Sequence, residues 1–227
     1  MKFARSMFVR ISIIPLVLAA GPVASAATQV EVLGTIPEVA AQPIQAVVAM
    51  PTVSIAQIAR DQLIADAANL DAGHYVWRPE LAPTGNVEIV VSLPQQRAYI
   101  YRANTLIGIT TVSTGKAGHR TPTGRFPIME KHRTHFWSIY DGAPMPFMQR
   151  LTNGGIALHA GEIPNYPASH GCVRLPYAMA QNLFGVTQVR SVVHIVNAAP
   201  TALTALQVAR GEPVPASPME EPVRGTR

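Results

Sequence analysis

The stretch VEIVVSLPQQRAYIYRANTLIGITTV, residues 87–112, decides the fold class. Val87 to Leu93 is a short apolar run of strand length. Pro94 closes it, Gln96 to Tyr101 follows, and Ile107 to Val112 begins after a second turn near Asn104. Three strand-length segments joined by turn chemistry read as consecutive antiparallel strands. Further strands are expected at Phe126–Glu130, Phe136–Tyr140, Ile156–His159 and Val192–Val196. One short helix fits Tyr177–Phe184, with Pro176 at its start and Gly185 at its end. Many short strands and little helix predict a mainly β sandwich or barrel over residues 86–197.

Outward from that region the composition changes. Residues 27–85 read as a linker with one amphipathic helix at 54–70, in which Ile55, Ile58, Ala59, Leu63 and Ala67 share a face and Ser54 is the cap. His74–Gly85 reads as a connector. Residues 198–227 begin with a short Ala-rich helical stretch and continue as a Pro-rich tail expected to be disordered. At the other end, Lys2, Arg5 and Arg10 flank the apolar run Ile11–Ala20, and Ala24-Ser25-Ala26 has the form of a cleavage site. Residues 1–26 are therefore expected to be an export signal, which places the mature protein in the periplasm.

Removing that leader leaves 15 basic and 13 acidic residues, so the net positive charge of the full chain is partly the leader's. No basic run with interleaved aromatics follows, and nucleic acid is a poor partner. The 227-residue chain has one cysteine, Cys172, which cannot form an internal disulfide. An unpaired thiol in an exported chain is either inert and buried or chemically used.

His159 ends an expected strand, and Cys172 follows thirteen residues later across a loop. An imidazole can take the proton of a thiol and make it a nucleophile. Gly171 lets the backbone bend just before Cys172 and present N–H groups to an oxyanion. Arg174, two residues on, shares a face with Cys172 if the chain is extended; it can lower the thiol pKa and grip a carboxylate. His132 and His135 with Glu130 form a weak metal candidate, because three residues apart on a strand put the two rings on opposite faces. No metal and no cofactor is expected. Ser113 and Lys116 suggest a serine–lysine nucleophile pair, but their order and the lack of an S-x-x-K helix argue against a penicillin-binding-protein fold.

The segment His159…Ser169-His170-Gly171-Cys172-Val173-Arg174 resembles the active-site signature of the L,D-transpeptidases, the YkuD-type catalytic domain. Val112-Ser113-Thr114-Gly115-Lys116, Thr121-Pro122-Thr123-Gly124-Arg125-Phe126 and Met145-Pro146-Phe147 resemble three further segments of that family, in the same order. The resemblance implies a YkuD-like β-sandwich or barrel and a cysteine acyltransferase acting on peptidoglycan stem peptides as donor and acceptor. Cys172 is then the nucleophile and His159 the general base, oriented by the backbone carbonyl of Ala160. The N–H groups of His170, Gly171 and Cys172 form the oxyanion hole. Arg174, Ser169, Tyr140, Phe147 and Met145 contact substrate, with His170 more a support of the loop than a proton carrier. Release of D-Ala, a 3–3 cross-link and a thiol that carbapenems acylate follow from the same resemblance. The acceptor is left open between a second stem, a lipoprotein, a D-amino acid and water. A carboxypeptidase or endopeptidase on the same scaffold is the alternative, and a non-catalytic wall-binding protein is a third. A sortase is disfavoured by the short His–Cys interval. A monomer is expected.

Overall fold

The computed structural model describes residues 54–136 and 142–214. The expected signal, residues 27–53 of the expected linker, Tyr140 and the last thirteen residues lie outside them. In chain order the elements are α1 (Ile55–Asp66), β1 (Tyr75–Trp77), a 3-10 turn (Pro79–Leu81), β2 (Val87–Ser92), β3 (Arg97–Arg102), β4 (Thr105–Thr111) and β5 (Gly124–Pro127). They continue with β6 (Glu130–His132), β7 (Met148–Arg150), β8 (Ala157–Ala160), β9 (Val173–Leu175), α2 (Tyr177–Val186), β10 (Val192–Val196) and α3 (Ala205–Arg210). The mainly β architecture expected from the sequence is the one observed.

Two sheets form. The first has the order β1-β4-β3-β2-β10-β5, and the second β6-β7-β8-β9. Pairing is antiparallel except for β2 with β10 and β8 with β9. Ile89, Val91, Ile100 and Ile107 of the first sheet face Leu158, Val173 and Leu175 of the second, and Met179 and Leu183 of α2 complete this core. The opposite face of the first sheet is also covered. Val90, Tyr99, Tyr101 and Ile109 pack against Leu63 and Ala67 from α1 and its end, and against Ala205 and Leu206 of α3. A sheet buried on both faces needs apolar residues at successive positions, which is why residues 87–93 read as a run rather than an alternation.

The structure departs from the sequence reading in several places. Met148–Arg150 and Val173–Leu175 are strands of three residues, too short to carry a period, and Tyr75–Trp77 joins the first sheet where a connector was expected. The expected strand Phe126–Glu130 splits into β5 and the start of β6, which belong to different sheets. Of the expected strand Phe136–Tyr140, only Phe136 is described, in an isolated bridge with Pro144. Ile55 and Ile58 on α1 are exposed, so only the second half of that helix contacts the sheet. Arg97 caps it, donating to the carbonyls of Ala67 and Ala68. Residues 198–214 are not a loose tail. Ser92 Oγ donates to Ala198 O at 2.6 Å, Tyr101 OH to Ala202 O at 2.8 Å, and α3 closes against the sheet. The tyrosines bury rings whose hydroxyls need partners, and this segment's carbonyls supply them.

Candidate active site

The site stands at the end of the parallel pair β8/β9. Their register sets His159 opposite Arg174, and Cys172 enters β9 two residues before Arg174. His159, Ser169, His170, Cys172 and Arg174 line one cavity of about 260 Å³ with Met145, Pro144, Gly161 and Glu162. His159 is the last but one residue of β8, and its Nδ1 lies 2.8 Å from the carbonyl oxygen of Ala160. A carbonyl can only accept, so Nδ1 carries the proton and Nε2 keeps its lone pair. Ala160 is the residue whose carbonyl the family resemblance sets against His159.

Cys172 is 2% exposed, and its Sγ lies 3.6 Å from the carbonyl oxygen of Gly155. Burial pushes the thiol up to about 11, against smaller opposing effects of the Ala157 N–H and of Arg174. Burial likewise draws the His159 imidazolium down to about 4; the Ala160 carbonyl opposes this and the Arg174 charge adds to it. The resting pair is therefore thiol and neutral imidazole.

The loop carrying Cys172 is held from the other side by residues of the 112–116 and 121–126 motifs. Ser113 exchanges backbone hydrogen bonds with Arg174, and Lys116 N donates to Ser169 O while Ser169 N donates to Thr114 O. Ser113 Oγ donates to Tyr166 O and accepts from Ala168 N. Thr121 Oγ1 accepts from Gly115 N and donates to Gly171 O, both at 2.8 Å. Gly115 has no alternative, since a Cβ there would lie 2.0 Å from His119 O. Gly171 sits at φ +118°, and a Cβ would lie 2.6 Å from Ile156 Cδ1. These threonines and glycines thus brace the loop.

Other expected site residues fall differently. Phe147 is buried and packs edge-on against Tyr177, with ring centroids 5.3 Å apart, so it belongs to the core and not to the cavity. Met145 does line the cavity. Ser169 also reaches it, but its hydroxyl is spent on the loop: it donates to Cys172 O at 2.5 Å and accepts from Gly171 N at 3.0 Å. That second bond removes the Gly171 N–H from the expected oxyanion hole. His170 is exposed and lies edge-on to His119, centroids 4.8 Å apart. His132 and His135 do not point apart: β6 ends at His132, the chain turns, and their rings come to 5.7 Å. No group of three metal-ligating side chains gathers among the described residues. Sequence reasoning missed Glu162, Thr121 and Gln96. Thr121 was visible only as part of a motif. Buried Gln96 carried no signal; its side chain bonds both N and Oγ1 of Thr114.

Residues 86–195 match the profile of the YkuD L,D-transpeptidase catalytic domain. This region is a YkuD-type L,D-transpeptidase domain. The match runs from just before β2 into β10, so β1, α1 and α3 lie outside it, with α1 and α3 packed on the outer face of the first sheet. Among solved structures, an L,D-transpeptidase from Stackebrandtia nassauensis is 24% identical, aligned over 65% of this chain and 69% of its own, with a TM-score of 0.47. One from Mycobacterium smegmatis is 19% identical over 49% of this chain and 58% of its own, TM-score 0.46. L,D-transpeptidase 3 from Mycobacterium tuberculosis, in complex with a faropenem-derived adduct, is 18% identical over 48% and 60%, TM-score 0.45. The chain thus spans under three-fifths of the length of the M. smegmatis structure. No curated protein matches the chain in sequence.

Proposed function

We propose that the protein is a peptidoglycan L,D-transpeptidase working through a Cys172 thioester. The observation that carries this reading is the fixed tautomer of His159 beside the buried thiol: Nδ1–H is held by Ala160 O, and Nε2 is left as a base in the cavity that Cys172 lines. In the first half-reaction the thiol proton passes to His159 Nε2 as Sγ attacks the carbonyl between the diamino acid and the terminal D-Ala of a donor stem. The oxyanion is met by backbone N–H donors at Cys172 and its neighbourhood, Gly171 being already engaged. The imidazolium returns the proton to the departing D-Ala amine. In the second half-reaction His159 takes a proton from the acceptor amine, which attacks the thioester and releases Sγ. Arg174 holds the donor carboxylate through a bidentate contact.

The neutral resting pair fits this order of events. A donor that fills the cavity brings an electrophile to a thiol whose partner base is unprotonated at any pH above about 4. The export signal and a periplasmic site of action are part of the same proposal, as is a monomer acting on wall peptides. The test is mass spectrometry of muropeptides from cells expressing the wild type or Cys172→Ala. New 3–3 dimers with the wild type alone support the reading; tripeptides alone point to the hydrolase; no Cys172-dependent change refutes it. A carbapenem added to the pure protein should leave a covalent adduct on Cys172, read by intact mass.

A further inference from the structure

Among the described residues, the cavity around Cys172 is lined by one carboxylate, Glu162, and one permanent cation, Arg174. They are close in the fold. The aliphatic stem of Arg174 lies over the residue before Glu162, such that a Cβ on Gly161 would sit 3.0 Å from Arg174 Cδ. Yet they form no ion pair, and neither side chain pairs with any other described residue. Elsewhere in the molecule neighbouring charges do pair: Glu130 with Arg150, Glu88 with Arg210 and His194, Asp66 with Arg78. Two opposite charges kept apart on one small cavity are complementary to a ligand that carries both signs at a fixed separation.

We infer that Glu162 is a specificity-determining residue that binds the side-chain ammonium of the donor's diamino acid while Arg174 holds the carboxylate beyond the scissile bond. This rests on the proposed transpeptidase reading. The scissile carbonyl then lies between the two poles, over Cys172. A volume of about 260 Å³ is of a size to admit the third side chain and the terminal residue of a stem. Glu162 lies on the loop after β8 and outside the hydrogen-bond network that braces Cys172, so its charge can be changed without disturbing the nucleophile. A neutral side chain at the third position leaves the carboxylate without a partner. One carrying an ammonium gains a charge-assisted hydrogen bond that becomes shielded from water as the donor fills the cavity.

The experiment uses two synthetic tetrapeptide donors, identical except that the third residue's side-chain amine is free in one and acetylated in the other. Wild type, Glu162→Gln and Glu162→Asp are compared by kcat/KM for D-Ala release, and binding of both peptides is measured on Cys172→Ala, with and without Glu162→Gln. The wild type should prefer the free amine by roughly fivefold or more, as expected of a partly exposed charge pair. Glu162→Gln should abolish that preference, and Glu162→Asp should keep part of it. Turnover with the same preference in Glu162→Gln as in the wild type overturns the inference and leaves the transpeptidase reading standing. Glu162-dependent binding preference without turnover refutes the transpeptidase reading alone. Neither turnover nor preference refutes both.

Discussion

Thr121→Val isolates the bracing of the catalytic loop. Thr121 is 4% exposed and joins three segments through one oxygen: Gly115 N–H donates to Oγ1, and Oγ1 donates to Gly171 O, each at 2.8 Å. Valine keeps the shape and removes both bonds. A lost hydrogen bond of this kind contributes about 1 kcal/mol, and a buried donor or acceptor left unpaired costs about 1–3 kcal/mol. Water can reach half-buried Gly115 more readily than buried Gly171, so the combined loss is set at about 2–4 kcal/mol. For a folded region of this size, each 1 kcal/mol lowers Tm by about 2–4 °C, which predicts a fall of roughly 5–15 °C. Gly171 precedes the nucleophile directly, and a small displacement there should also slow donor acylation by roughly tenfold or more. Thr121→Ser keeps the hydroxyl and should retain most of both quantities. The assays are guanidinium unfolding followed by tryptophan fluorescence and single-turnover acylation. A Thr121→Val protein within about 0.5 kcal/mol of the wild type and acylating at the same rate refutes the bracing argument.

Three further perturbations follow from other parts of the molecule. Gly171→Ala forces a Cβ to 2.6 Å from Ile156 Cδ1 at φ +118°, costing about 1–3 kcal/mol in backbone strain alone; Ile156→Ala added to it should recover part of the stability in thermal melts but not the acylation rate. His159 stays neutral in the fold down to about pH 4 but titrates near 6.5 when unfolded, so the unfolded chain binds the extra proton. Stability is full above pH 6.5 and falls as pH drops toward 4, by roughly 3 kcal/mol at most from this group, and a His159→Gln protein should show a shallower acid slope in denaturant titrations. Leu63→Ala removes a fully buried side chain that joins α1 to the outer face of the first sheet, and should cost about 2–5 kcal/mol in chemical unfolding while thioester formation per folded molecule stays unchanged.

The residues that do the proposed chemistry were legible in the sequence. A single thiol with Gly before it, Arg two residues after it and His thirteen residues upstream is a local pattern. The turn-bounded runs from Val87 onward identified the central strands because apolar burial and turn residues act locally. The sequence could not settle what depends on partners distant along the chain. Three-residue strands such as β7 and β9 are defined by their pairing with neighbours distant in sequence, β7 with β6 and β8, and β9 with β8. Phe147 could be read as groove or core with equal ease, and the packing of Tyr177 and Phe184 put it in the core. Ser169 and Gly171 appeared as chemistry and proved to be partly architecture, since their hydrogen bonds close on each other. The segment after Asn197 reads as a short Ala-rich helix leading into a tail, with nothing to say what it packs on, yet its carbonyls answer buried tyrosine hydroxyls about a hundred residues away. The sequence by itself determined which residue types were available for the proposed chemistry and where the longer central strands would form. Only the tertiary structure decided their register, their protonation and their free valences, because desolvation and hydrogen-bond saturation are properties of neighbours in space.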